Sequence, residues 1–426
     1  MQIIENTKVK EKLFIEKLDN GLTVMIIPKK NTIKKYAIWG THYGSVMSEF
    51  IVPGETDTTK VPDGVAHFLE HKMFEQPNGT NSLDTLTALG VNANAYTTND
   101  HTAYLFECTD NFDEAFAELA DYIQHPYFTD ENVEKEKGII GQEIMMYDDA
   151  PEWSVYMNAI KAMYSKNPVR IDIAGTVESI SHIDKDILYK CYNTFYNLSN
   201  MVLVLCGDFE PEQELDKVKE KLLDVKVNGK IKRIYEEEPE GIATKKIEKQ
   251  MEVSIPLFMI GYKVKKEEEN VVKQHIAIEI LLNIIAGKSS KLYKKLYEEG
   301  LVQSPLDLDF EFAENYSHVL IGGQSNNPEK VLEYLNKEIE EIEEIKQNGL
   351  QNEDFERIKK KIYGNYIREY NEVSDISRMF LADYIKGINS FDYLEDFKQV
   401  TKEYAEQSLK EIFNENKQVI SIVKPK

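Results

Sequence analysis

Two imidazoles and a carboxylate fall within five residues of the stretch PDGVAHFLEHKMFE (62–75), as His67, Glu70 and His71. Histidines at i and i+4 sit one turn apart on a helix, so both can aim a ring nitrogen at a single tetrahedral Zn2+. Glu70 borders the same position and could take a proton from a zinc-bound water, then return it as an acid. The order His-x-x-Glu-His inverts the zincin arrangement His-Glu-x-x-His. At ~100° per residue, His67, Glu70, His71 and Phe74 share one helix face, and Val65, Phe68, Leu69 and Met73 share the other. Pro62-Asp63-Gly64 reads as the helix start, with Asp63 as N-cap. The competing reading is a polar helix face with two incidental histidines. The rarity of the motif and its helical context favour the metal.

A catalytic zinc needs a third protein ligand, with water in the fourth position. The stretch DENVEKEKGIIGQEIMMY (130–147) reads as a helix whose Glu136, Ile139, Ile140, Glu143, Met146 and Tyr147 form one stripe. Two carboxylates in an otherwise apolar stripe are costly to bury unless something charged meets them. Gly138 and Gly141 would let another helix come close. Glu136 and Glu143 are two turns apart, about 10 Å along the axis, so they cannot both bind one ion. Spacing does not choose between them. A surface helix with salt-bridged glutamates is the plainer alternative, and Glu75 is a weaker third candidate. His42, His101, His125, His182, His275 and His318 have no ligand spacing and read as turn, surface or core residues. No G-x-S-x-G marks a serine nucleophile.

These residues need a scaffold. Strands are expected at 13–30 (two, joined by Asp19-Asn20-Gly21), at 36–45, at 95–108 (two, with a turn near Asn99-Asp100) and at 201–209. Helices are expected at 64–74, 81–89, 111–124, 130–147, 152–164 and 210–223. The segment 227–250 has little apolar periodicity and two charge runs, and reads as linker. The pattern then restarts, with strands at 251–264, 317–325 and 419–423. Helices are expected at 270–287 and at 329–349, the latter with Ile345 on its stripe and Gly349 as C-cap. The fold class is therefore α+β: a catalytic domain over 1–225, a linker over 226–250, and a second domain of similar plan over 251–426.

The 426 residues, 42 % hydrophobic and 29 % charged, suit two globular domains. A net charge of −23 argues against a nucleic-acid partner and permits a basic substrate, though acidity also serves solubility alone. Three scattered cysteines give no disulfide framework and point to a reducing compartment. The N-terminus lacks a signal-peptide pattern, and no apolar run approaches a membrane span. The expectation is a cytoplasmic protein with no membrane partner.

HFLEH (67–71) followed by EKEKGIIGQE (134–143) resembles the pitrilysin–insulinase metallopeptidases, the inverzincins. The likeness is greatest to their short bacterial branch, similar to the mitochondrial processing peptidases. LDNGLTVMIIP (18–28), LGVNANAYTTNDHTAYLFE (89–107) and AGTVESISHI (174–183) extend it along most of the chain. The resemblance implies His67, His71 and Glu143 as zinc ligands, Glu70 as general base and Glu136 as an additional catalytic-site glutamate. It puts Asn94 and Ala95 on an edge strand that pairs with an extended peptide substrate. It also implies two α+β domains, and two such chains closing around a chamber. Active members carry an Arg and a Tyr in the second domain. The matching segment here, SSKLYKKLYEEGLVQS (289–304), has Tyr297 and Gln303 in those places.

The leading expectation is thus a zinc metalloendopeptidase acting on unfolded peptides or leader segments. It would be the metal-bearing subunit of a heterodimer whose related subunit supplies the missing pair, or else a homodimer. A non-catalytic peptide-binding partner of such an enzyme is the alternative, but it would have no use for Glu70. A zinc hydrolase of small molecules is a third reading.

Overall fold

The computed structural model describes residues 1–227, 229–344 and 350–426. In chain order the first strands are β1 (Gln2–Asn6), β2 (Glu11–Lys17), β3 (Thr23–Pro28), β4 (Lys35–Thr41) and β5 (Glu49–Ile51). They are followed by β6 (Thr58–Lys60), β7 (Asn92–Thr97), β8 (Thr102–Cys108), β9 (Met201–Gly207) and β10 (Lys232–Arg233). The last are β11 (Lys246–Met251), β12 (Leu257–Lys263), β13 (Asp307–Phe312), β14 (Ser317–Gln324) and β15 (Gln418–Pro425). A seven-stranded sheet has the order β1-β2-β3-β9-β4-β8-β7, and a five-stranded sheet the order β11-β15-β12-β14-β13. A small sheet has the order β10-β5-β6. Pairing is antiparallel apart from β3 with β9 and β11 with β15. Both large sheets carry packed helices, so the class is α+β.

The chain forms two compact units. One comprises Met1–Ile144, Asp172–Tyr235 and Ile367–Ser390; the other comprises Met145–Ile171, Glu236–Tyr366 and Phe391–Lys426. A single cut at 226–250 therefore does not describe the packing. The helix Pro151–Met163 lies against β12 and β15 of the second unit. Its Ala159, Ile160, Ala162 and Met163 are fully buried, and Val155 joins a cluster with Met251, Leu257 and Val423. The helix Val373–Ile385 lies against β4 and β9 of the first unit, with Ile376 and Leu381 fully buried. Each helix goes where its apolar face finds a sheet to cover. The segment 226–250 is also not bare linker. It contributes β10 to the small sheet and β11 to the five-stranded one.

In the first unit β9 is buried along its whole length, between β3 and β4. Its near-continuous apolar run (MVLVLCG) is what a strand covered on both faces needs. At the opposite extreme, β7 is an edge strand and part-exposed throughout. The helix Pro328–Glu344 occupies the start of the expected 329–349 helix, while Ile345 and Gly349 lie outside the described residues. No helix among the described residues is long and apolar enough to cross a membrane.

Candidate metal centre

The motif helix runs Val65–Lys72. Val65, Phe68, Leu69 and Met73 are at most 2 % exposed, so one face is anchored in the core and the other is left to the polar residues. Its N-cap is Gly64, at φ 92°, with no side-chain cap bond; Asp63 does not cap it. The Asp63 carbonyl instead accepts a hydrogen bond from Ser179 Oγ at 2.8 Å. A Cβ on Gly64 would stand 2.4 Å from the Ala174 oxygen, and one on Gly175 (φ 76°) would stand 2.5 Å from the Asp63 oxygen. Two glycines thus let the loop around Ala174–Ser179 press backbone to backbone on the helix start. A capping box between Thr176 and Ser179 stiffens that loop.

The second element is the long helix Asp130–Asp148. It brings Glu143 to the motif helix, with Oε1 3.7 Å from His67 Nε2 and Oε2 3.5 Å from His71 Nε2. The donor atoms of His67, His71 and Glu143 all lie within 4.8 Å of one another. A tetrahedral ion with ligand bonds of ~2.0–2.2 Å has donor–donor edges of about 3.4 Å. Glu143 stands close to that distance from each imidazole, through a different oxygen in each case, and the two-nitrogen, one-oxygen donor set suits zinc. The two imidazoles lie 4.6 Å apart between centroids, with their planes tilted by 57°.

Glu136 is 6 % exposed and does not join this cluster. Its Oε1 lies 3.1 Å from His71 Nδ1, and its Oε2 accepts from Lys72 Nζ at 3.1 Å. Both oxygens are committed. Glu75 is committed too, at 2.8 Å from the same ammonium. Gly138 and Gly141 do not mediate a close helix approach: nothing stands within 4 Å of where their Cβ atoms would be. The long helix is instead held through Val133, Ile140 and Ile144, all buried, while Ile139 and Met146 of the expected stripe are exposed.

The charges fall into a pattern. Burial first, and then the neighbouring His71, push the His67 pKa down to about 3, so this ring keeps a lone pair for a metal. Burial opposes a charge on His71, but the hydrogen bond to Glu136 and the carboxylates Glu70, Glu136 and Glu143 outweigh it and raise its pKa. Burial would push Glu136 up; the bond to His71 and the charge of Lys72 prevail and hold it below the usual carboxylate range. Glu70 is raised, by burial, against a hydrogen bond from Thr97 Oγ1 to its Oε2 at 2.6 Å. With Glu136 accepting at Nδ1, the His71 lone pair belongs to Nε2, the nitrogen nearest Glu143.

Thr97 closes the edge strand β7, which also carries Asn94 and Ala95. The Ala95 N–H donates to Asn94 Oδ1 at 2.9 Å. Two residues of the site had no separate signal in the sequence. Thr97 is one of several polar residues in NANAYTTND, and Lys72 reads as an ordinary lysine at a helix end. The other histidines lie elsewhere: His101 bonds Asp100 and Thr98, His275 bonds Tyr393, and buried His318 bonds Tyr164. In the second unit Tyr297 is 58 % exposed on the helix Lys291–Glu298, and Gln303 is exposed just beyond it.

The family model described as insulinase (peptidase family M16) matches residues 50–177, and that of the peptidase M16 inactive domain matches residues 182–362. The chain is 38 % identical over 428 residues to the "uncharacterized zinc protease YmfH" of Bacillus subtilis (strain 168), covering 99 % of each. The chain belongs to peptidase family M16. Among solved M16 structures, an "M16-like peptidase" from Alicyclobacillus acidocaldarius superposes with a TM-score of 0.93 at 34 % identity, over 99 % of this chain and 100 % of that one. The mitochondrial-processing peptidase subunit beta of Dictyostelium discoideum is 27 % identical over 226 residues, 52 % of this chain and 46 % of that protein.

Proposed function

We propose that this M16 protein is a zinc metalloendopeptidase that hydrolyses unfolded peptides or leader segments. His67, His71 and Glu143 hold the zinc, and Glu70 is the general base. The observation that carries the reading is the convergence of those three donor groups within 4.8 Å, from two separate helices, with Glu70 on the same face. Zinc, when bound, supplies Lewis acidity that polarises a peptide carbonyl and eases deprotonation of water. Glu70 accepts the water's proton on a carboxylate oxygen and returns it to the leaving amine. The hydrogen bond from Thr97 occupies Oε2 and leaves Oε1 for that traffic. Glu136 serves the site by orienting the His71 ring. The substrate lies as an added strand along β7 at Asn94 and Ala95, its backbone replacing Asn94 Oδ1 on the Ala95 N–H.

Tyr297 and Gln303 stand where the resemblance expects an Arg and a Tyr, and residues 182–362 match the M16 inactive domain. This supports a chain that works with a related subunit, as a heterodimer or, failing that, a homodimer. The three buried free cysteines suit a reducing compartment, the cytoplasm. The same observations favour one alternative, a peptide-binding partner that does not cleave. A peptidase assay with and without a related M16 subunit, comparing wild type with Glu70→Gln, separates the two. The variant is expected to keep its zinc and lose ~10²–10⁴-fold in kcat. Equal turnover by both would remove Glu70 as base; no cleavage by any combination would favour the binding partner.

A further inference from the structure

We propose that Lys72 is a positioning residue for the metal site. Its buried ammonium, held between Glu75 and Glu136, fixes Glu136 against the outer nitrogen of His71 and so sets how tightly the site grips a divalent cation. This rests on the zinc reading given above.

The Lys72 side chain is 0 % exposed, which is exceptional for lysine unless its charge is paired. Its Nζ stands 2.8 Å from Glu75 Oε2 and 3.1 Å from Glu136 Oε2. Glu136 Oε1 is 3.1 Å from His71 Nδ1. The four side chains therefore form one line, Glu75–Lys72–Glu136–His71, ending on a ring whose Nε2 lies 3.5 Å from Glu143. A ligating imidazole is held in place through its second nitrogen, and whatever holds that nitrogen must itself be fixed. Without Lys72, Glu136 would be restrained only by the ring it is meant to restrain. The pairing also keeps Glu136 from offering an oxygen to the ion in place of Glu143. A cation near a cation site would ordinarily weaken binding. Here two carboxylates flank one ammonium, so repulsion is offset and positioning decides the sign.

The test is zinc affinity of the full chain, by competition with a chromophoric chelator, together with the visible spectrum of the cobalt-substituted protein. Lys72→Met is expected to bind zinc ~10–100-fold more weakly and to alter the cobalt spectrum. Glu136→Gln should do the same. The double variant should bind no more weakly than the worse single variant, because both changes break one contact. Should Lys72→Met fail to fold, the double variant still serves, since it removes both buried charges and leaves without its ammonium only Glu75, whose side chain is 27 % exposed. Equal affinity in the double variant and in Glu136→Gln supports the proposal, and a difference beyond about threefold overturns it. Folded Lys72→Met with unchanged or tighter zinc binding also overturns it. Wild type that binds no zinc, or binds it equally well after His71→Ala, overturns the zinc reading itself and is recognised before any Lys72 variant is measured.

Discussion

A general base must be held as well as placed, and the proposed base, Glu70, has one restraint for each: the core packing of its helix and the hydroxyl of Thr97. Thr97 Oγ1 also lies 3.2 Å from Thr102 Oγ1, but the two protons go to Glu70 and to the Tyr43 carbonyl, so Thr97 is held by packing and by its backbone pairing with Thr102 between β7 and β8. Thr97→Val keeps the shape and removes the donor. A base misplaced by a fraction of an ångström is expected to cost about 10–100-fold in kcat, with KM and zinc content little changed. Thr97→Ser should restore most of the rate. If valine and serine behaved alike, the hydroxyl would have no part in holding Glu70. At this scale the sequence was informative where chemistry forces a spacing. His67, Glu70 and His71 stood out because few other structures need i, i+3, i+4 in that order. Glu136 and Glu143 were equivalent by spacing, and only the family resemblance preferred one as ligand. Lys72 was illegible because its burial depends on a second carboxylate, Glu136, 64 residues away along the chain.

The elements carry the site through backbone contacts that leave a different mark. The glycines of the motif-helix start and of the Ala174–Ser179 loop exist because two backbones touch. Gly64→Ala puts a Cβ against the Ala174 carbonyl at positive φ, and is expected to cost about 1–3 kcal/mol in denaturant unfolding. It should weaken zinc binding through the displaced helix; full stability with normal zinc affinity would show that the clamp is dispensable. A second element-scale device ties the Ser165–Asn167 turn to β12. Glu238 accepts from the backbone N–H groups of Ser165, Lys166 and Asn167 and from Lys263 Nζ. Burial opposes its charge, but Lys263 and then those N–H groups draw its pKa from 4.5 down to about 2. A folded-state pKa below the unfolded one stabilises the fold above the unfolded value, and that stability is lost as pH falls through the folded value. Glu238→Gln should therefore be less stable than wild type at neutral pH. The gap should narrow as pH drops from 4.5 toward 2, and a gap that ignores pH would refute the assignment. Most strands and helices flanking the site were visible as periodicity, since β9 and the motif helix are patterned by burial. What periodicity could not say is which sheet a helix covers. The apolar face of Pro151–Met163 fits any sheet, and only packing assigns it to β12 and β15.

For the molecule as a whole, the two matched family models divide the labour unevenly. Every residue assigned to zinc, base or edge strand falls in the first unit, within residues 50–177. The half matching the M16 inactive domain offers Tyr297, a neutral phenol exposed to solvent, where an Arg was expected. A phenol cannot replace a guanidinium in gripping a substrate carbonyl or carboxylate, because it has one donor and no charge. Zinc binding needs none of these groups, whereas holding an extended peptide in register with Glu70 does. The isolated chain is therefore expected to take up one zinc per chain and to cleave peptides poorly. Adding a related subunit that carries the Arg and Tyr should raise kcat/KM by about 10²-fold or more, chiefly by orienting the peptide. Tyr297→Arg with Gln303→Tyr in the single chain should recover part of that gain. Stoichiometric zinc with robust peptidase activity in the unmodified, isolated chain would show that the second half needs no help, and would remove the case for a heterodimer while leaving the metal site intact.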